Sequence, residues 1–316
     1  MASALAEFSD IDSLYAPVRY LFAGGGKRVR PILTLLACEA VGGKREDALY
    51  AGVATELLHN FTLVHDDIMD SSPLRRGRDT VHKRFGNNAA ILSGDVIMGI
   101  ALRMLERSAA QAPSPIDVIS AFSTGLVDVC EGQALDMAFM SRDDVTLDEY
   151  FTMIEKKTAK LLEMAVRIGG LVGGGTTREI EALRTFARDI GIAFQMQDDL
   201  LDLVGSEEFG KTPGGDIVEG KRTWMILRVR DLARAQRNTN TSCSDIVDDF
   251  FSNGGLPRER VNVMVDCMQT LGVISEAEKL IHDITDDAYK HLHSLAPSQA
   301  RDNLELLASK LVVRTT

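Results

Sequence analysis

LYAGVATELLHNFTLVHDDIMD, residues Leu49 to Asp70, decides how the chain folds. Apolar residues recur in it at three- and four-residue spacing, with no β-branched alternation, so the pattern predicts a helix from Leu49 to Met69. The helix is apolar on much of its circumference, as a helix buried in a large all-α bundle would be. It then ends on three carboxylates. Asp66 and Asp70 stack one turn apart and Asp67 is displaced by one step. Like charges at this spacing cost a few tenths of a kcal/mol (roughly) and lie unfavourably at a helix C-terminus. A bound cation removes both penalties. Oxygen-only ligands favour Mg²⁺, which keeps several waters and bridges carboxylates to phosphates.

The pattern repeats. FQMQDDLLD, Phe194 to Asp202, closes a second long apolar run with Asp198, Asp199 and Asp202. Helices are also predicted over Ile32 to Val41, Ala89 to Leu105, Ile116 to Phe139, Leu147 to Val172 and Ile180 to Val204. Gly-rich breaks at Gly24-Gly25-Gly26, Gly42-Gly43, Gly173-Gly174-Gly175 and Pro213-Gly214-Gly215 separate them. From Asp245 to Leu311 shorter amphipathic helices are expected. Without a Pro- or Ser-rich linker, the 316 residues read as a single domain, 1–316.

A net charge of −11 argues against a nucleic-acid partner, which demands clustered Lys and Arg. Cys38, Cys130, Cys243 and Cys267 are scattered without Cys-x-x-Cys spacing, the pattern of reduced thiols in a cytoplasmic protein. Met1 to Asp12 is acidic and lacks a signal-peptide pattern. No apolar run is expected to reach the roughly 18–20 residues that span a bilayer.

Basic residues sit where a diphosphate would need them. The loop Gly24-Gly25-Gly26-Lys27-Arg28-Val29-Arg30-Pro31 delivers Lys27, Arg28 and Arg30 just before a helix. Arg75 and Arg76 follow the first aspartate motif, and Lys211 and Lys221 follow the second. Lys156-Lys157-Thr158 lies inside a long apolar helix, where an unpaired charge is costly. The pair His65-Asp66 also occurs in helical metal-dependent phosphohydrolases. Those require a further His well upstream, and the first here is His59.

Taken in order, GGGKRVRP, ELLH, DDIMD with SSPLRRG, EGQALD, KKTAKL and FQMQDDLLD with FGKTPGGDIVEGK closely resemble the trans-type polyprenyl diphosphate synthases. The resemblance runs from about Tyr15 to Arg314 and is most like a geranylgeranyl diphosphate synthase. It implies the all-α isoprenoid synthase bundle around a central deep cavity, in a homodimer. It also implies condensation of isopentenyl diphosphate onto an allylic diphosphate (dimethylallyl, geranyl or farnesyl) with Mg²⁺, three ions when substrate is bound. Asp66, Asp67 and Asp70 would hold metal on one wall, with Asp198, Asp199 and Asp202 facing them. Arg75, Lys157 and Lys211 would clamp the allylic diphosphate, and Lys27, Arg30, His59 and Arg76 the isopentenyl one. Thr158 and Gln195 would line the reacting carbons, Gln133 and Asp136 would lie near the metals, and Lys221 is a looser match.

In the same family, bulky residues four and five positions before the first Asp form the floor beneath the growing chain. Here they are Thr62 and Phe61, which resembles the type forming a twenty-carbon product. Phe61 lies about 7.5 Å below Asp66 along the axis, although a simple wheel puts Thr62 directly beneath it. Farnesyl diphosphate or a longer product is the alternative. A terpene cyclase, or a non-catalytic subunit of a prenyl synthase complex, is the alternative class. The cyclase reading fits DDLLD poorly, and the subunit reading expects missing aspartates. Replacing Phe61 with Ala is expected to lengthen the product. Unchanged product length with retained turnover, read by chromatography, would contradict that role.

Overall fold

Long apolar helices can bury their faces only against one another. The computed structural model of the chain is accordingly helical almost throughout the described residues, 11–204, 213–236 and 241–312. In chain order the helices are α1 (Asp12–Ala23), α2 (Val29–Ala40), α3 (Leu49–Met69), α4 (Val81–Phe85), α5 (Asn87–Ala109) and α6 (Pro115–Phe139). Then come α7 (Leu147–Ile154), α8 (Lys160–Val172), α9 (Thr177–Val204), α10 (Gly215–Glu219) and α11 (Trp224–Ala235). The last are α12 (Thr241–Asn253), α13 (Val261–Thr270), α14 (Val273–Leu292) and α15 (Gln299–Val312). Backbone contacts divide the chain into two units. One draws on Met1–Leu126, Met164–Arg184 and Ser294–Leu304, the other on Val127–Glu163, Thr185–His293 and Glu305–Thr316.

In the first unit α3 packs along α5 and against α2. Ala51, Ala54, Leu57 and Leu58 of α3 and Ile97, Ala101 and Met104 of α5 are fully enclosed. Residues just past the end of α3 form a two-stranded hairpin that the apolar periodicity does not announce. Leu74 pairs with Asp79 and Arg75 with Arg78. Arg76 and Gly77 both have positive φ, 54° and 72°, as a two-residue type I′ loop requires. The hairpin turns the chain back so that Arg75 reaches the end of α3.

In the second unit the continuous helix expected from Leu147 to Val172 is interrupted. A Thr146–Glu149 capping box starts α7, but residues Glu155–Ala159 form a π turn before α8 resumes. The apolar positions jump by five, from Ile154 to Ala159 across Glu155-Lys156-Lys157-Thr158, but a short polar stretch in a helix reads equally as an exposed face. Such turns insert one residue and re-aim the side chains around them, frequently at functional sites. Gly132 of α6 makes room for it, since a Cβ there would lie 2.2 Å from the Lys157 backbone nitrogen.

Two expectations are corrected. Cys243 of α12 and Cys267 of α13 form a disulfide, with Cα atoms 5.5 Å apart. These are consecutive helices in mutual contact, so cysteines distant in sequence meet in space, and the cytoplasmic expectation loses the support it drew from four reduced thiols. In addition, α5 is long and apolar enough to cross a membrane by length and composition, with 44% of the qualifying window buried. Its apolar run is built from small residues as well as Ile, Leu and Met, which hid its length. The buried face of α5 packs on α3, while Ile91, Leu92 and Leu102 lie exposed.

Gly132→Ala tests the π turn. In an ordinary helix interior this substitution stabilises by up to about 1 kcal/mol. Here the added methyl collides with backbone, and we expect a loss of about 1–3 kcal/mol in urea or thermal unfolding. A stabilised variant would contradict the close approach.

Candidate active site

Consecutive helical residues point about 100° apart, so the two adjacent aspartates of each motif cannot share a face. At the end of α3, Asp67 turns inward and is 2% exposed, whereas Asp66 is half-buried and Asp70 exposed. The guanidinium of Arg75 grips Asp67 with its Nε 2.8 Å from Oδ1 and 3.0 Å from Oδ2, and its Nη2 2.7 Å from Oδ1. Multiple N–H contacts of this kind are what make a buried carboxylate tolerable.

A cluster of cations gathers beside this pair. Arg76 donates to the carbonyl of Gly25, and a Cβ on Gly26 (φ 146°) would lie 2.8 Å from the Arg76 guanidinium. Arg28, which begins α2, is held at φ 52°. It forms an ion pair with Glu56 of α3 at 2.5 Å. Burial pushes the Arg30 guanidinium down to about 10, with the Glu56 charge opposing and Arg76 reinforcing that shift. His59 is held well below the usual histidine range, first by burial and then by Arg30, Arg76, Arg75 and Arg28. It is therefore neutral at physiological pH, and its Nδ1 has no hydrogen-bond partner. Arg30 Nε is also without one. Lys27 is exposed on the same loop. Lys27, Arg30, His59, Arg75 and Arg76 all belong to the first unit.

Phe61 packs edge-on against His65, ring centres 4.7 Å apart. Thr62 donates to the carbonyl of His59 at 2.8 Å. The aromatic ring thus lies under His65, one turn away, as the simple wheel requires.

The second motif shows the same division. Asp198 is exposed, Asp202 half-buried, and Asp199 only 7% exposed. Asp199 accepts from the Tyr150 hydroxyl at 2.7 Å and from Gln195 Nε2 at 2.8 Å. Thr158 in turn donates to Gln195 Oε1 at 2.7 Å, so a single chain of hydrogen bonds runs from the π turn to the aspartate motif. Burial pushes the Asp199 carboxyl up to about 7, aided by the charges of Asp216 and Asp198 and opposed by the bonds from Tyr150 and Gln195. Lys157 donates to Asp136. Asp202 accepts the backbone N–H of Asp216 at 2.9 Å. Lys221 bonds Asp216 at 2.8 Å and Glu219 at 3.1 Å. Burial alone would lower its pKa, and those two carboxylates raise it instead. A cleft within this unit is lined by Asp136, Lys157, Thr158, Gln195, Asp199 and Lys221. Gln133 is 7% exposed, with both amide atoms lacking partners. Lys211 lies outside the described residues.

Among the described residues no three His, Cys, Asp or Glu side chains converge as a ready-made metal cage. Arg75 holds Asp67, Tyr150 and Gln195 hold Asp199, and each motif retains a pair of carboxylates four residues apart. That donor set suits an ion that completes its shell with water and phosphate oxygens, as Mg²⁺ does.

Tyr150 was not singled out from sequence, and Glu56 entered only as part of the ELLH segment. Tyr150 reads as one more core aromatic, and Glu56 as a lone polar residue in an apolar run. The one signal for Glu56 is its place three residues before His59, one helical turn away.

A protein-family model described as polyprenyl synthetase matches residues 11–252. The chain is 39% identical over 309 residues to a short chain isoprenyl diphosphate synthase of Methanothermobacter thermautotrophicus, covering 97% of this chain and 92% of that one. A solved geranylgeranyl pyrophosphate synthetase from Pyrococcus horikoshii Ot3 superposes with a TM-score of 0.86 at 36% identity, over 96% of this chain and 90% of that one. A polyprenyl synthase from Caulobacter crescentus CB15, complexed with calcium and isoprenyl diphosphate, superposes at 0.87 with 26% identity, over 100% and 94%.

Tyr150→Phe tests the hydrogen-bond chain. The Asp199 carboxyl has its pKa raised from the unfolded value, so its neutral form favours the fold at low pH. That contribution is lost as pH rises from about 4 to about 7. The Tyr150 hydroxyl matters most once Asp199 is ionised. We expect the variant to lose about 1–3 kcal/mol at pH 8.5 and distinctly less at pH 5.5, measured by thermal unfolding without metal. Equal losses at both pH values would contradict it.

Proposed function

Since the chain belongs to the polyprenyl synthetase family and condenses isopentenyl diphosphate onto an allylic diphosphate, we propose that its product is the twenty-carbon geranylgeranyl diphosphate. The observation that carries the two-substrate reading is the presence of two separate sets of cations. Arg75 belongs to the aspartate end of α3, and Lys157 to the π turn. Lys27, Arg30, His59 and Arg76 form a further set around the Gly-rich loop, which a hydrolase or cyclase has no need of. For the product length, support comes from Phe61 with small Thr62 beside it, one turn or so before Asp66, and from the likeness to a geranylgeranyl pyrophosphate synthetase.

We assign the metal ligands to Asp66 and Asp70 of the first motif and Asp198 and Asp202 of the second. Asp67 and Asp199 orient Arg75 and Gln195 from behind. Bound Mg²⁺, three ions in the full complex, would neutralise the departing diphosphate. Arg75, Lys157 and Lys211 hold that allylic diphosphate and stabilise charge as the C–O bond breaks. Lys27, Arg30 and Arg76 bind the diphosphate of isopentenyl diphosphate. His59, kept neutral by its surroundings, offers that anion a ring N–H without a full charge. The chain Thr158–Gln195–Asp199 fixes the direction of two side-chain oxygens, suited to a delocalised carbocation. Gln133 and Lys221 border this arrangement. The isopentenyl double bond attacks the cation, and the proton leaves to the released diphosphate.

Both units are read as one catalytic domain, supported by a family match that passes through segments of each. A second copy of the chain is placed on the exposed apolar side chains Ile91, Leu92 and Leu102 of α5 and Ile116 and Ile119 of α6. Exposed apolar surface of that kind marks association sites.

Purified protein incubated with labelled isopentenyl diphosphate, Mg²⁺ and each allylic primer tests the reading. The expected outcome is Mg²⁺-dependent condensation ending at twenty carbons. Products that stop at fifteen or run past twenty would reject the product assignment, and absence of condensation would reject the synthase itself.

A further inference from the structure

We propose that Glu56 is a positioning residue for the isopentenyl diphosphate site, its buried carboxylate holding the arginine cluster in place before the diphosphate arrives. This deepens the functional reading above and rests on it. Glu56 sits in α3 one turn before His59 and is 2% exposed. An ionised carboxylate survives there only with partners. Arg28 Nη1 lies 2.5 Å from its Oε1, and Asn60 Nδ2 lies 3.2 Å from the same oxygen. Asn60 also donates to the Glu56 carbonyl at 2.7 Å, which fixes the amide and with it the direction of the carboxylate.

Arg28 occupies a left-handed conformation that side-chain-bearing residues rarely adopt. The ion pair with Glu56 gives that conformation a reason, because it ties the start of α2, and with it the end of the Gly-rich loop, to α3. The influence of Glu56 extends past Arg28. Its charge acts on Arg30 and Arg76 and opposes the lowering of their pKa values by burial. These are two of the residues assigned to the isopentenyl diphosphate. Arg28, Arg30, Arg75 and Arg76 all act on His59, so several like charges crowd one turn of α3. Asp67 is engaged by Arg75, while Glu56 pairs with Arg28 and acts on Arg30 and Arg76. A group of the same sign as the substrate does not contact it. Glu56 acts through the arginines, by preorganising donors that would otherwise repel one another.

Calorimetric binding of isopentenyl diphosphate to the purified chain, with KM for both substrates, kcat and thermal unfolding, tests the role in Glu56→Gln and Glu56→Asp. In Glu56→Gln we expect weaker binding and a KM for isopentenyl diphosphate raised about tenfold to a hundredfold. KM for the allylic diphosphate should change by no more than about threefold, and kcat should fall less than that KM rises. Glu56→Asp keeps the charge one methylene further back and should recover part of the loss. Unchanged or tighter binding in folded Glu56→Gln would overturn the proposal, since Glu56 would then only pack or compete with the ligand. Equal loss for both substrates would overturn it too. Should Glu56→Gln fail to fold, Glu56→Asp decides: a smaller rise confined to isopentenyl diphosphate supports the role, and no change refutes it. Binding needs no turnover. An inactive wild type would therefore reject the condensation reading while leaving the Glu56 measurement readable.

Discussion

Two carboxylates at adjacent helix positions cannot both face a ligand, and the organisation of this site follows from that constraint. The inward member of each pair enters the protein, where an unpartnered charge costs several kcal/mol (roughly). Asp67 is satisfied by Arg75, which requires the hairpin after α3 to fold back. Asp199 is satisfied by Gln195 one turn before it and by Tyr150, which requires α7 to bring that hydroxyl to the end of α9. The supporting residues are thus dictated by the aspartates they hold. The members four residues apart, Asp66 with Asp70 and Asp198 with Asp202, are left on the more accessible face of each helix.

The cationic side obeys the same rule with the signs exchanged. Arginines gathered for a diphosphate repel one another until it binds, and a buried carboxylate offsets part of that repulsion. Glu56 occupies this place for Arg28, Arg30 and Arg76. Burial first, and then crowding by those charges, holds His59 well below the usual histidine range. On the proposed reading, the buried carboxylates Asp67 and Glu56 hold arginines in place without themselves meeting substrate.

Much of this was legible in the amino-acid order. Helices α3, α6 and α9 have long apolar periods and end near where the period does, and the aspartate spacing by itself places pairs on one face. The π turn at Glu155–Ala159 was missed although the apolar positions jump by five from Ile154 to Ala159, because a short polar stretch reads equally as the exposed face of an α-helix. Nor was the Cys243–Cys267 bond, which depends on two consecutive helices meeting rather than on spacing. Tyr150 and Glu56 escaped for a third reason. A buried Tyr and a lone Glu acquire meaning only from the partner across the packing interface, and neither partner is near in sequence.

Anomalous diffraction from crystals grown with Mn²⁺ and an unreactive thiol analogue of an allylic diphosphate tests the central claim most directly. The account predicts metal coordinated by Asp66, Asp70, Asp198 and Asp202, with Arg75 still on Asp67 and Tyr150 still on Asp199. Metal bound instead to Asp67 or Asp199, with those hydrogen bonds broken, would contradict it.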